Sequence, residues 1–154
     1  MAKVIGFTRL QTLYRRSVGL DIDKAKAIEI IETAEKKLAD LFDVAFQRAE
    51  AEGRDYVTWK DLPITKGLAE TMERFERKRE ELGEEKLDLG PIAEYLSGII
   101  DYDKVSDDVK ENLPKLVGTL LVLEGYIIKL VDPGARRPSK EDLERARQIL
   151  DLTL

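Results

Sequence analysis

The side chains that could do chemistry in this chain are carboxylates, ammonium groups and guanidinium groups, because the sequence holds no His and no Cys. The commonest general base, the imidazole metal ligand, the nucleophilic thiol and the disulfide are therefore excluded from its own residues. What remains is 31 Asp and Glu against 26 Lys and Arg, a formal net charge of -5. Pairs of carboxylates can act as general acid and base. Here no His, metal motif or Gly-rich phosphate loop accompanies an acidic stretch, so those stretches read as solvated helix faces. No catalytic residue, metal site or cofactor is assigned. The chain reads as a non-enzyme, with no small-molecule substrate expected.

The charge is unevenly spread. Residues 1–26 hold Lys3, Arg9, Arg15, Arg16, Lys24 and Lys26 against Asp21 and Asp23, a local net of +4 in a chain that is acidic overall. Arg136, Arg137 and Lys140 form a second basic group far along the chain. Clusters of this kind can contact phosphate without reading bases. By contrast Asp101, Asp103, Asp107 and Asp108, offset by Lys104, should repel it. Trp59 has the chemistry of a base-stacking platform, but on the first turn of a helix it reads as a partly buried anchor.

These groups need elements to position them. With 154 residues, 43% of them apolar, the chain is long enough for one well-buried core or two small intertwined ones. No apolar run approaches the roughly 20 residues that span a bilayer, and the N-terminus lacks an apolar signal core with a small-residue cleavage site. A cytoplasmic protein is expected, nucleoid-associated if it binds DNA, with no membrane partner. Abundant Glu, Lys and Arg with one Asn, two Met and no Cys form a thermophile-like composition.

Phe7, Leu10, Leu13, Tyr14 and Val18 recur at spacings of three and four, which predicts a short amphipathic helix stopped by Gly19. Asp21 and Asp23 are candidate caps for a long helix, whose stripe of Ile28, Ile31, Leu38, Phe42, Ala45 and Ala49 continues toward Gly53. Tyr56 and Val57 favour extended backbone, and Thr58 with Asp61 forms a variant capping box. Pro63 implies a restart, with Thr65 capping a helix from Lys66 to about Leu82. Along it, Glu70 with Arg74, Glu73 with Arg77 and Arg77 with Glu81 are spaced for mutual support. Gly83 to Leu89 reads as a connector.

The order then repeats. Pro91, Ile92, Tyr95, Leu96 and Ile99 mark a short helix, and a second long apolar helix opens at Val105 and Ser106. Its stripe runs through Val109, Leu113, Leu116, Val117, Leu120, Leu123, Ile127 and Leu130, with Pro114 expected to kink or split it and Gly118 and Gly125 to weaken it. Asp132, Pro133 and Gly134 end it. Ser139 and Asp142 cap a final helix with Leu143, Ala146, Ile149, Leu150 and Leu152 as its apolar side.

Gly53 to Leu62 lies over Gly134 to Leu143 without a gap, matching Thr58 with Ser139 and Asp61 with Asp142. PIAEYLSGIIDYDKVSDD, from Pro91 to Asp108, resembles the first helix, first loop and long-helix start of an archaeal histone. GRDYVTWKDL resembles that family's second loop and third-helix start, with its Gly-Arg pair and downstream Asp falling on Gly53, Arg54 and Asp61. GLDIDK, DLPITKGL and VDPG are similar to a bacterial family of tandem histone-fold proteins of uncharacterised function, over nearly the whole chain.

The resemblance implies an all-α fold of two histone-fold-like helix-loop-long helix-loop-helix halves paired head to tail, a histone pseudodimer in one chain. Residues 1–86 would be the first half with an extended linking helix and 87–154 the second, together one globular domain. It also implies a structural ion pair between Arg54 and Asp61. Family DNA binding does not carry over whole. Asp55 and Tyr56 replace the basic residue and Thr that engage phosphate in archaeal histones, and Ala135 stands in the slot of Arg54. Head-to-tail pairing would instead gather Arg15, Arg16, Lys24, Lys26, Arg136, Arg137 and Lys140 at one end, and join the acidic run to the loop of Asp55 at the other. Two partners follow as alternatives: duplex DNA, bound weakly and non-specifically at the basic end, or protein partners of an interaction module that does not bind DNA.

Overall fold

A computed structural model describes residues 6–83, 94–96 and 98–154 of the chain. Helix α1 (Phe7–Leu13) passes directly into a π-helical turn over Tyr14–Val18 and stops at Gly19, whose φ of +82° is open to glycine but strained for other residues. Helix α2 spans Lys24–Ala51, and its cap Asp23 accepts a hydrogen bond from Lys26 N at 2.8 Å. The Thr58–Asp61 box closes only a 3-10 turn, Trp59–Asp61, because Pro63 removes the next donor. Thr65 Oγ1 then accepts from Leu68 N at 3.1 Å and starts α3 (Lys66–Leu82).

In the second half residues 94–96 are helical, whereas Pro91, Ile92 and most of the connector lie outside the described residues. A 3-10 turn at Tyr102–Lys104 leads to α4 (Asp107–Val131). Ser139 and Asp142 bond reciprocally at 3.0 and 2.9 Å to open α5 (Lys140–Thr153).

Helix α4 lies at the centre, packed against α2, α3, α5 and the π-helical turn. One buried cluster draws Leu10, Ile30, Leu41 and Phe75 from the first half and Leu96, Val117, Leu121 and Ala146 from the second. The two long apolar stripes therefore cover each other, as expected of stripes wider than one short neighbour can shield. At one end of the molecule Val57 and Val105 form an isolated parallel bridge, with Val57 N bonding Lys104 O and Ser106 N bonding Val57 O, both at 2.8 Å. At the other, Asp21 N donates to Arg136 O at 2.7 Å. Each contact joins the loop before one long helix to the loop after the other.

Several expectations are corrected. Pro114 does not split α4, which runs unbroken past it. The one lost backbone hydrogen bond is outweighed where the flanking Leu113, Leu116 and Val117 are all fully buried. Gly118 and Gly125 are sites of close approach rather than weak points. A Cβ at Gly118 would meet the Phe75 ring at 2.2 Å, and one at Gly125 would meet the Tyr14 ring at 2.9 Å. Tyr14 is fixed there by its hydroxyl, which donates to Leu121 O at 2.6 Å. Leu130 and Leu152, read as parts of apolar faces, are 82% and 87% exposed. Arg74 lies over the Tyr126 ring at 3.8 Å, and Glu70 pairs with Lys66 at 3.7 Å. The ion pairs of α3 therefore differ from those its spacing predicts.

Candidate nucleic-acid interface at the basic end

The Asp21–Arg136 hydrogen bond brings the start of α2 beside the loop that precedes α5. Arg15, Lys24, Lys26 and Arg137 thereby share the wall of one hollow of about 420 Å³. Arg15 and Arg136 share a smaller neighbour of about 210 Å³. Arg16 is exposed on the π-helical turn but lines neither hollow, and Lys3 lies outside the described residues. Lys140 faces a different hollow, between α2, α4 and α5, among Glu29, Glu32, Glu124 and Glu144. The fold thus gathers five of the seven basic candidates around two adjoining hollows.

Part of this charge is neutralised locally. Arg15 Nε lies 2.6 Å from Asp21 Oδ1, with both side chains about half exposed, and Lys26 Nζ lies 3.6 Å from Asp23 Oδ2. The carboxyl of Asp23 is held below its ordinary range, first by the hydrogen bond from Lys26 N and then by the ammonium of Lys26. Two aspartates among six basic groups still leave Lys24, Arg16, Arg136 and Arg137 as excess positive charge. A polyanion would find several cations here on three segments, with the loop before α2 tied to the loop before α5 by the Asp21–Arg136 hydrogen bond.

The opposite end has the reverse character. The Val57–Val105 bridge sets the loop of Asp55 beside the loop of Asp101 and Asp103 and the first turn of α4 with Asp107 and Asp108, all exposed. Arg54, on the loop of that end that follows α2, is engaged by its own neighbours. Its Nη1 and Nη2 meet the two oxygens of Asp61 at 2.7 and 2.8 Å, and they also bond Tyr56 O and Glu52. This bidentate pair holds the Asp61 carboxyl well below the usual range and pushes the guanidinium further above its own. At the basic end Ala135 occupies the equivalent place, and its carbonyl takes Lys129 Nζ at 2.7 Å. Trp59 packs partly buried against the core.

Two charged groups escaped sequence reading. Lys37 is 3% exposed on α2 and reaches Asp151 of α5 at 2.5 Å, with Asp40 at 3.4 Å. Glu124 is 2% exposed on α4. The available signal for Glu124 was its place on the three-four stripe after Val117 and Leu120, where the helix calls for an apolar side chain. Lys37 lies next to Leu38 on that helix's apolar side and reads from spacing as an ordinary surface lysine.

A set of packed helices with one basic and one acidic end defines an all-helical protein, and no helix among the described residues is long and apolar enough to cross a membrane. Residues 10–151 match the model of a domain of unknown function, DUF1931, and the chain belongs to that family. An uncharacterised protein of Aquifex aeolicus (strain VF5) is 30% identical over 152 residues, covering 98% of this chain and 85% of the relative. A crystal structure from Thermus thermophilus superposes with a TM-score of 0.79 at 34% identity, covering 96% of this chain and 97% of the other. A second, from Aquifex aeolicus, gives 0.74 at 27% identity, with coverage of 97% and 95%.

Proposed function

We propose that the chain is a histone-fold pseudodimer that contacts duplex DNA weakly, and without sequence preference, through its basic end. The observation that carries this reading is the gathering of Arg15, Lys24, Lys26, Arg136 and Arg137 by loops from opposite halves. The loop contacts at both ends, each pairing the loop before one long helix with the loop after the other, support the head-to-tail arrangement. The acidic opposite end argues against a wrap that needs both ends. The role is binding rather than catalysis, which the lack of His and Cys supports. A salt titration of duplex binding tests it. With about four phosphates neutralised, log K should fall linearly with log salt at a slope of about -3.6. Absence of salt-sensitive retention at low ionic strength overturns it.

A protein-interaction module without DNA binding is the second reading, favoured by the exposure of Leu130 at 82% and Leu152 at 87%. Its expected result is a partner that is lost on Leu130→Ser and Leu152→Ser, while retention of duplex DNA stays absent.

A further inference from the structure

Glu124 is the most deeply buried carboxylate of the second half that no part of the described chain answers. It is 2% exposed, and its Oε2 has no hydrogen-bond partner among the described residues. Leaving a buried polar atom in this state is costly, and a charged one more so. The side chain is not sealed in apolar core, however. It lines a hollow of about 300 Å³ walled by α2 through Glu29, Thr33 and Lys36, and by α5 through Leu143, Glu144 and Arg147.

Two of the three cations of that wall, Arg147 and Lys36, are paired with other carboxylates. Arg147 bonds Glu144 at 2.5 Å, and Lys36 lies 3.6 Å from Asp151. Lys140 lines the same hollow without bonding Glu124 Oε2. Thr33 spends its hydroxyl hydrogen on Glu29 O at 3.1 Å. Of the four carboxylates that line the hollow, Glu144 is bonded to Arg147, and Glu124 and Glu29 face each other from α4 and α2, with Glu32 and the aliphatic side chain of Leu143 beside them. Such a set calls for positive charge and for N–H donors together. Four carboxylates against three cations disfavour an anion. A metal ion fits poorly, since no three acidic side chains among the described residues are placed to hold one.

We propose that this hollow binds a small organic cation carrying a primary ammonium group, seated between Glu124 and Glu29. The ammonium donates to the unpartnered Oε2 and offsets the charge of Glu29, and its alkyl part lies against Leu143. Burial, and then the charge of Glu29, pushes the Glu124 carboxyl up to about 8, with Arg147 working the other way. The other charged and titratable groups facing it are Glu32 and Lys36 of α2, Lys140 and Glu144 of α5, and Tyr14 of the π-helical turn, whose hydroxyl is already bonded to Leu121 O. Seating a cation requires the ionised carboxylate, so Glu124 releases its proton to solvent as the ammonium enters. Affinity should then rise up to about tenfold per pH unit below about pH 8 and level off above it.

The probe is 1,4-diaminobutane, titrated calorimetrically into the full chain at several values of pH between about 6 and 9, where the amine keeps its charge. Saturable binding that strengthens with pH is expected, and Glu124→Gln should weaken it by about tenfold or more and abolish its pH dependence. Glu29→Gln, an exposed substitution that leaves the core untouched, should also weaken it. Tetramethylammonium, which has the charge but no N–H, should fail to compete. No saturable heat at about 10 mM diamine and pH 9 overturns the proposal. So does equal binding by the folded Glu124→Gln variant, or equal competition by tetramethylammonium or Mg²⁺, because each would mean that surface charge alone attracts the probe.

Discussion

Glu124 and Asp61 are both buried carboxylates, and their surroundings push them in opposite directions. For Glu124 the folded value of about 8 lies above the ordinary 4.5, so between those values the folded state holds the extra proton. Stability therefore falls as pH climbs from about 4.5 to about 8 and is flat beyond, by an amount on the order of 5 kcal/mol. Glu124→Gln should leave Tm nearly unchanged at pH 5 and raise it by roughly 10 °C or more at pH 9, as read by circular dichroism. A variant that melts at the wild-type temperature at pH 9 would contradict this account. For Asp61 the folded value is depressed by Arg54, so its contribution is present above about pH 4 and is lost as pH falls through the acid range. Arg54→Met lets that carboxyl rise toward its ordinary range. The acid unfolding midpoint should move to higher pH, and an unmoved midpoint would show that the pair is idle.

At the scale of elements, the close approach of α3 to α4 rests on one missing side chain. Gly118→Ala would thrust a Cβ to within 2.2 Å of the buried Phe75 ring, so α3 must shift, at a cost of about 1–3 kcal/mol. Phe75→Leu alone should destabilise, but together with Gly118→Ala it should cost less than the sum of the two, which a double-mutant cycle in urea would measure. The sequence carried the positions of the elements well. Asp23, Thr65 and Ser139 each cap the helix their spacing predicts, because capping depends on residues only three apart. Pro114, Gly118 and Gly125 misled for the opposite reason. Their local cost is real, but what decides it is a ring from another helix or a buried flank, and neither is local. The same limit applied to the candidate site. The basic residues were visible as composition, yet the separation of Lys140 from Arg137 into a different hollow depends on how α5 leans on α2.

At the scale of the molecule, one end is basic and the other acidic, and the two long helices share one core. Arg136→Glu with Arg137→Glu reverses exposed charge only, so Tm should hold, since such changes usually alter stability by within about 0.5 kcal/mol. Duplex retention should vanish, and with only the two charges neutralised the salt slope should fall by about two units. A fragment of residues 1–86 lacks α4 and should be unfolded or dimeric by light scattering, because its stripe has nothing to cover it. A stable monomer would count against the shared core. The central place of α4 also has a consequence in time. The hydroxyl of Tyr14 finds its acceptor at Leu121, 107 residues later, and Phe75 nests on Gly118 of the same helix. During synthesis at roughly 5–20 residues per second, α1, α2 and α3 emerge before the helix they pack on exists. The first half must therefore wait, for several seconds and with its apolar stripe exposed to solvent or to a chaperone, until nearly the whole chain has left the ribosome.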